Sequence, residues 1–291
     1  MPKLSIIMAV HNRLDLTRLC LPSLDASLAG HDHEIIIVDD LSTDGTREFL
    51  AALPAPYRCI LRETKGNFSI NNNLGVRAST GDILVFLNND TELPRGWIEP
   101  MLAALDACPG PVGMVGNIQT IPATGRVDHL GVVFPPWLTP LHVGQHRRRV
   151  PAGLPRFSEW NAVTAACCLC RRETFEAVGG FDEAYVNGCE DIDLCLRLKR
   201  AGHRHYTANE SIIAHHKGAS PGRKTHNDAN LVRLKSIWAE TIARELVPGD
   251  APAAARSYLR GALARPAKVN AGKLLRSLRI VLGLGRPPRQ D

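Results

Sequence analysis

Three short stretches of the chain are almost wholly apolar, and each is followed by polar residues. They read LSIIMAV at residues 4–10, EIIIVDD at residues 34–40 and GDILVFLNND at residues 81–90. Continuous runs of this kind, rich in Ile, Leu and Val, are typical of strands buried on both faces of a parallel sheet. The segments between them favour helices, over residues 14–28 and near residues 46–53. This alternation predicts an α/β fold with a parallel sheet and right-handed crossovers.

The polar residues that follow these apolar stretches are the first candidates for a site. In parallel sheets, ligands bind at the carboxyl ends of the strands. Those ends carry His11 and Asn12, Asp39 and Asp40, and Asn88, Asn89 and Asp90. Asp and Asn also favour ordinary turns, which is the alternative explanation. Because three strand ends agree, we predict a polar binding site along this edge of the sheet.

Composition places the chain among globular proteins rather than disordered or membrane proteins. Of its 291 residues, 44% are apolar and 22% are charged, which is typical of a large α/β domain or of two lobes that share a core. The apolar run at residues 4–10 is too short for a signal peptide. No run approaches the roughly 18 apolar residues of a membrane span. We therefore expect a cytoplasmic protein.

Basic residues are concentrated towards the C-terminal end. Residues 223–291 contain 14 Lys and Arg against 5 Asp and Glu, whereas the net charge of the whole chain is +6. We therefore divide the chain into a domain over residues 1–222, with halves 1–120 and 121–222, and a basic helical extension over residues 223–291.

The end of this extension has the pattern of an amphipathic helix. Its apolar residues are Leu274, Leu275, Leu278, Val281 and Leu282, and its basic residues are Lys273, Arg276 and Arg279. Such a helix binds the interface of an anionic membrane, and we predict a peripheral contact of this kind. The alternatives are a solvated basic helix and ordinary packing on the body of the protein.

Three carboxylates lie close together in EDID at residues 190–193, at the start of a helix predicted over residues 190–201. Acids in the first turn of a helix interact favourably with its dipole by roughly 0.3–1 kcal/mol each, so at least one of the three needs no other role. Asp193 fits that structural role well, because Arg197 follows at the i,i+4 spacing of an ion pair. The loop VNGC precedes the helix and is able to present a side chain.

Several longer stretches, taken in order, resemble one enzyme family. They include LSIIMAVHNR, IIIVDDLSTDGT, NFSINNNLGVRASTGDILVFLNNDTELPRGW, GRVDHLGVVF and VNGCEDIDLCLRLKRAGHRHY, and with NLVRLKSIW the matches span residues 4–238. The ordered set resembles the inverting nucleotide-sugar glycosyltransferases of family 2. The resemblance is closest to the bacterial branch that builds O-antigen, capsule and rhamnose-containing polysaccharides.

The resemblance implies a GT-A-type fold, which is a Rossmann-like three-layer sandwich with a mainly parallel mixed sheet, here followed by a helical C-terminal tail. Residues 1–120 would bind the nucleotide sugar, and residues 121–222 would form the acceptor half. Asp39 would accept a hydrogen bond from the base of the nucleotide. The other residues of the nucleotide site would be Ala9, Val10, Asn12, Asn67, Asn88 and Asn89.

By the same resemblance, Asp90 would hold a divalent cation, Mn²⁺ or Mg²⁺, and His215 would be a further ligand of that cation or a contact of the diphosphate. Asp90 ends the motif usually written Asp-x-Asp, and the first acid of that motif is replaced here by Asn88. An amide carbonyl can still bind a hard cation, so the departure does not remove the site. His216 competes with His215 as the histidine ligand.

Asp191 would be the catalytic base, and Glu190 would orient it or contact hydroxyl groups of the acceptor. A carboxylate that is ionised near neutral pH can accept the proton of the attacking hydroxyl. The resemblance therefore predicts an inverting hexosyl- or deoxyhexosyltransferase of cell-surface polysaccharide synthesis. It would move a sugar from a nucleoside-diphosphate sugar to a saccharide or lipid-linked saccharide. We expect no nucleic-acid partner.

Two rival functions would need a glycine-rich loop after the first strand. A nucleotidyltransferase and a dinucleotide-dependent oxidoreductase both grip phosphates with such a loop, and MAVHNR has no glycine. The alternative that we keep is a non-catalytic scaffold subunit of a polysaccharide assembly complex that binds sugar nucleotides, because Asn88 weakens the metal motif.

Overall fold

Strands and helices alternate through the first third of the chain, as the apolar runs predict. The computed structural model describes residues 2–217 and 225–284. The first elements are β1 (Leu4–Val10), α1 (Leu14–Ser27), β2 (His33–Asp39), α2 (Thr46–Ala51), β3 (Tyr57–Leu61), α3 (Phe68–Arg77), β4 (Ile83–Leu87), β5 (Thr91–Glu92) and α4 (Ile98–Ala107). The apolar pattern does not predict β3, because this strand lies at the edge of the sheet and its residues are only partly buried or exposed.

The middle of the chain is richer in strands. It contains β6 (Val112–Ile121), β7 (Arg126–His129), β8 (Val132–Val133), β9 (Leu141–His142), β10 (Phe157–Trp160), β11 (Cys167–Arg171), α5 (Arg172–Ala177), α6 (Glu190–Arg200) and β12 (Arg204–His215). The C-terminal part is helical, with α7 (Asn227–Thr241), a π-helical turn over Ile242–Leu246, α8 (Val247–Ala264), a 3₁₀ turn over Pro266–Lys268 and α9 (Ala271–Val281).

Within the described residues, ten strands form one mixed sheet. Eight of them follow the order β10-β12-β6-β11-β4-β1-β2-β3, while β5 pairs with β12 and β7 pairs with β6. Strands β4, β1, β2 and β3 are parallel to one another, and β11 runs antiparallel between β4 and β6. From β1 the chain builds to β2 and β3 on one side and to β4 on the other. The strand order therefore reverses direction at β1, and in such sheets a crevice forms at that position, at the carboxyl ends of the strands.

Helices cover both faces of this sheet, so the predicted three-layer sandwich is confirmed. On one face, Met8 of β1 belongs to the same buried cluster as Leu24 of α1 and Met101 of α4. On the other face, Ile7 belongs to a cluster that includes residues of α3, α5, α6 and α7. Neighbouring residues of a strand point to opposite faces, which is why the continuous apolar run of β1 serves two cores.

The helices after residue 226 contribute to the second core. Trp238 of α7 and Leu246 of the π-helical turn are buried with Ile192 and Leu196 of α6. The predicted boundary between residues 222 and 223 lies outside the described residues. None of the described helices is both long and apolar enough to cross a membrane.

Candidate active site

The predicted strand ends lie along one edge of the sheet. β1 is parallel to both neighbours, with Val10 opposite Asp39 of β2 and Ile7 opposite Phe86 of β4. Beyond β4, the Asn89 side chain donates to Thr17 Oγ1 at 2.8 Å and to the backbone of the β1–α1 connection. The three ends therefore belong to a single edge, as the sequence predicts.

Asp39 has an unsatisfied oxygen at this edge. Its side chain is fully buried, and Oδ2 accepts from the Ser42 N–H at 3.3 Å and lies 3.4 Å from Arg47 Nη1. Within the described part of the chain, Oδ1 has no hydrogen-bond partner. Because an unpaired buried acceptor is costly, this oxygen fits a ligand that brings an N–H donor, such as a nucleotide base.

Other predicted nucleotide residues have structural contacts. The Asn12 side chain accepts from the Thr43 N–H at 2.7 Å. Asn67 caps α3 by accepting from the Ile70 N–H, and it donates to the carbonyl of Glu183. Both side chains hold loops around the edge. A direct contact of either with a nucleotide stays a prediction.

The remaining predicted nucleotide residues differ in accessibility. The side chain of Val10 is packed in the core, which leaves its main chain for any ligand contact. Ala9 and Asn88 are partly exposed at the strand ends. Their predicted roles are therefore compatible with their positions, whereas Val10 cannot contribute its side chain to an open pocket.

Asp90 and His215 are brought together by the backbone. β5 and β12 form a short antiparallel ladder in which His215 lies opposite Thr91, and the N–H of His216 donates to the carbonyl of Asp90 at 2.8 Å. As a result, His215 Nε2 lies 3.2 Å from Asp90 Oδ1, and both side chains are buried.

The hydrogen bonding of the His215 ring suits this pair to a cation. Its Nδ1 lies 3.0 Å from Gln119 Oε1, which can only accept, so Nδ1 carries the proton in the neutral ring. Nε2 then presents a lone pair towards the Asp90 carboxylate, and within the described residues it has no hydrogen-bond partner. A nitrogen lone pair and a carboxylate oxygen that face each other in a buried site fit a divalent cation between them.

The two candidate ligands, His215 and Asp90, suit a cation that is also bound by a substrate. Among the described residues, no group of three or more His, Cys, Asp or Glu side chains could hold a metal ion. Mg²⁺ commonly takes only one or two protein ligands and completes its shell with water and substrate phosphates. The alternative ligand, His216, has its Nε2 2.6 Å from Glu92 Oε1 and is occupied there.

Three residues around this pair were not predicted from sequence. Gln119 orients His215, and the carboxylate of Asp128 accepts from Lys217 Nζ at 2.7 Å and lies 3.8 Å from His215 Nδ1. Asp128 lies within the motif GRVDHLGVVF quoted above, and no other feature of the sequence pointed to this residue. Gln119 and His215 are 96 positions apart on neighbouring strands, and no local pattern reports such a pairing.

Asp191 sits at the start of α6, close to the β4 end. Its Oδ2 accepts from the Ala165 N–H at 3.1 Å and its Oδ1 from the Ile192 N–H at 2.8 Å. The carbonyl of the next residue, Ala166, accepts from the Asn88 N–H at 2.9 Å. The backbone of two consecutive residues therefore links the candidate base to the metal motif. These contacts bring Asp191 and Asn88 into one neighbourhood.

The loop before α6 is held in an unusual conformation. Asn187 and Cys189 have φ values of 54° and 70° in the left-handed region, which L residues adopt only when their surroundings impose it. Asn187 accepts from the N–H of Phe68 at the start of α3. Asn230 of α7 makes two hydrogen bonds with the backbone of Val186. Two helices thus fix the loop that presents Asp191.

The other two acids of this turn are more deeply engaged. Glu190 is buried and accepts from the Gly188 N–H of the same loop. Asp193 accepts from Arg197 Nε at 2.7 Å and from the indole N–H of Trp238 at 2.8 Å. The predicted Asp193–Arg197 ion pair is confirmed, and Asp193 serves the packing of α6 against α7.

Two curated proteins resemble this chain over most of its length. The O-antigen biosynthesis protein RfbC of Myxococcus xanthus is 32% identical over 75% of this chain and 18% of its own length. The N-acetylglucosaminyl-diphospho-decaprenol L-rhamnosyltransferase of Mycobacterium tuberculosis is 28% identical over 65% of this chain and 68% of its own length. The chain spans less than a third of the length of the first curated relatives that it matches.

A solved structure supports the fold. The crystal structure of GalNAc-T7 with UDP, GalNAc and Mn²⁺ aligns with a TM-score of 0.63 at 14% identity, over 96% of this chain and 54% of that one. The predicted GT-A-type architecture is therefore confirmed. The sequence profile described as "Glycosyl transferase family 2" matches residues 5–179, more than half of the chain. The chain belongs to glycosyl transferase family 2.

Proposed function

We propose that this chain transfers a sugar, with inversion, from a nucleoside-diphosphate sugar to a saccharide or lipid-linked saccharide in cell-surface polysaccharide synthesis. The observation that carries the proposal is the buried Asp90–His215 pair at the strand ends, with Asp191 in the same neighbourhood. Family membership supports the transfer itself. The names of RfbC and of the mycobacterial rhamnosyltransferase favour a polysaccharide product and a hexosyl or deoxyhexosyl donor.

On the donor side, the unpaired Oδ1 of Asp39 would accept from the base, and Asp90 and His215 would hold Mn²⁺ or Mg²⁺ beside the diphosphate. When bound, such a cation supplies Lewis-acid stabilisation of the charge on the departing diphosphate. The solved GalNAc-T7 complex holds Mn²⁺ together with UDP. Gln119 keeps the accepting nitrogen of His215 turned towards Asp90.

On the acceptor side, Asp191 would remove the proton of the attacking hydroxyl. The N–H groups of Ala165 and Ile192 each bind one of its oxygens. These bonds fix the orientation of the carboxylate. Positioned bases of this kind accelerate reactions by about 10²- to 10⁴-fold. Glu190 would act through the loop, because it binds the Gly188 N–H.

The test separates transfer from donor binding. Asp191→Asn keeps the shape of the side chain but lowers its basicity, so we expect transfer to fall by at least about 100-fold, while nucleotide affinity stays within about twofold of wild type. Asp228→Asn is the matched control, since Asp228 is another first-turn acid, on α7. Turnover of nucleotide sugars and calorimetric binding of the nucleotide are the two measurements. Full activity of Asp191→Asn would refute the assignment of the base.

We further propose that the protein works at the cytoplasmic face of a membrane, held there by α9. Leu275 and Leu278 of this helix and Leu282 at its C-cap recur at three- and four-residue spacing and are 53%, 41% and 66% exposed. Arg276 and Arg279 lie between them. An exposed apolar stripe with flanking basic residues fits an anionic bilayer surface, where a lipid-linked acceptor would be found.

A further inference from the structure

A cavity lies between α8 and the segment that contains β7 to β10. It has a volume of about 280 Å³ and is lined by three arginines, Arg147, Arg256 and Arg260. Trp160 and Leu154 contribute to its apolar walls. None of the residues assigned above to the donor, the cation or the base lines this cavity.

The positive charge of the cavity has no balancing carboxylate among the described residues that line it. Burial lowers the pKa of Arg260, and the neighbouring Arg147 and Arg256 lower it further, because like charges disfavour the protonated form. Arg147 and Arg260 are partly buried and Arg256 is exposed, and an anion between the three guanidinium groups would offset their mutual repulsion.

The cavity also contains hydrogen-bond donors without acceptors. Arg147 Nε, Arg260 Nη1 and Trp160 Nε1 are each buried and have no partner among the described residues. More than about 90% of buried polar groups in native proteins are hydrogen-bonded. Three unpaired donors around one cavity suit a ligand that brings acceptors, and an anionic acceptor would also balance the arginines.

We propose that this cavity binds the phosphate or diphosphate group of a ligand whose attached chain is apolar. Guanidinium groups bind phosphate oxygens through paired N–H donors, and several of them together match a multiply charged group. Of the remaining wall residues, Ser158, Asn209 and Ser257 are polar, and the Asn209 amide already donates to Ser158 Oγ and to the carbonyl of Pro155. The others, which include Leu130, Val143, Pro151 and Leu154, form an apolar surface. A prenyl diphosphate ester has both of these features.

The position of the cavity gives such a ligand a role, and this step rests on the proposed function. Leu130, on the cavity wall, lies two residues beyond Asp128, whose carboxylate binds Lys217 next to His215. The cavity is therefore adjacent along the chain to the cation side of the active site. A lipid diphosphate held there would anchor an acceptor whose sugar extends towards Asp191.

The binding step can be tested without donor sugar or metal. Calorimetry in EDTA would compare farnesyl diphosphate, inorganic pyrophosphate and farnesol as ligands of the full chain. We expect farnesyl diphosphate to bind at least about tenfold more tightly than either of the others, since it alone satisfies both the arginines and the apolar walls. In Arg147→Gln, Arg256→Gln and Arg260→Gln, its affinity should fall by at least about tenfold. Arg148→Gln, an exposed neighbour on the same segment, should bind as wild type does.

Stability distinguishes a ligand site from a structural cluster. Without ligand, the three cavity variants should melt at the wild-type temperature or above it, because each removes repulsion between like charges. Unchanged affinity for farnesyl diphosphate in these variants would overturn the site. Equal affinity for pyrophosphate would overturn the apolar part of the proposal, and equal affinity for farnesol would overturn the anionic part. Nucleotide binding, measured separately, reports on the proposed function independently of these results.

Discussion

His215 and His216 are adjacent in the sequence, yet they have different partners. His215 lies between Gln119 and Asp90, whereas His216 binds Glu92. The sequence HH does not show which of the two side chains faces Asp90, because that depends on how β12 pairs with β5 and β6. The Asp193–Arg197 pair could be predicted, since both partners lie on one helix. Gln119 could not, since its partner is 96 positions away.

This difference predicts which histidine holds the cation. We expect His215→Ala to weaken Mn²⁺ binding by at least about tenfold, because it removes a nitrogen ligand. His216→Ala should leave Mn²⁺ affinity within about twofold of wild type. Calorimetric titration of Mn²⁺ in the presence of nucleoside diphosphate gives both values. The reverse order of the two variants would assign the ligand to His216.

The strands differ in how well they could be predicted from the sequence. β1, β2 and β4 were predicted because each has a mostly apolar run that is buried on both faces of the sheet. β3 was missed because an edge strand has no such run. In α8, no local pattern predicts that the side chain of Asp250 is enclosed. Its Oδ2 accepts from the Phe134 N–H at 2.8 Å beside β8, a contact between distant segments.

The contact of α8 with β8 predicts a dependence of stability on pH. Burial raises the pKa of Asp250 from 3.8 to about 6, although Asn161, the Phe134 N–H and Lys199 act in the opposite direction. The folded state therefore keeps a proton up to about pH 6 that the unfolded state loses near pH 3.8, and the free energy of unfolding decreases as pH rises between these values. Asp250→Asn should melt at a higher temperature than wild type near pH 7.5.

The advantage of Asp250→Asn should shrink as pH falls and should vanish below about pH 3, where the wild-type carboxyl is protonated in both states. Thermal melts across this pH range provide the measurement, with Asp228→Asn as an exposed control. A pH-independent difference between Asp250→Asn and wild type would show that the carboxyl does not titrate in this way.

For α9, we expect Leu278→Asp with Leu282→Asp to reduce binding to vesicles rich in phosphatidylserine by at least about tenfold. Each burial of a leucine side chain in the bilayer contributes about 0.8 kcal/mol per CH₂ group, and the new carboxylates repel the anionic surface. Leu263→Asp is the control, since Leu263 of α8 is 86% exposed. Vesicle sedimentation is the measurement, and equal losses in the control would mean that α9 has no special role.

The two largest hydrophobic cores of the described residues draw on distant parts of the chain. Trp238 of α7 is buried against α6 and donates to Asp193, in the segment after the proposed division at residue 222. The excess of basic residues over 223–291 predicted an extension. Charged residues lie mostly on the surface, so their number does not show which apolar residues of the extension are buried. Packing therefore argues that the two parts fold together.

This arrangement predicts opposite outcomes for two truncations. A chain that ends at residue 222 should not melt cooperatively, because loss of a buried Trp alone costs about 3–5 kcal/mol from a total of about 5–15 kcal/mol. A chain that ends at residue 264 retains α7 and α8 and should melt cooperatively. Circular dichroism would follow both. A cooperative transition in the shorter chain would establish residues 1–222 as an independent domain.

The two hydrogen bonds between Asn230 and Val186 extend this dependence to the reaction itself. They tie a helix of the C-terminal extension to the segment from which Asp191 projects. Under the proposed function, these bonds would let a helix of the C-terminal extension help to aim the carboxylate of Asp191 at the acceptor hydroxyl. The indole of Trp238, which donates to Asp193 on the same helix as Asp191, would share in that alignment.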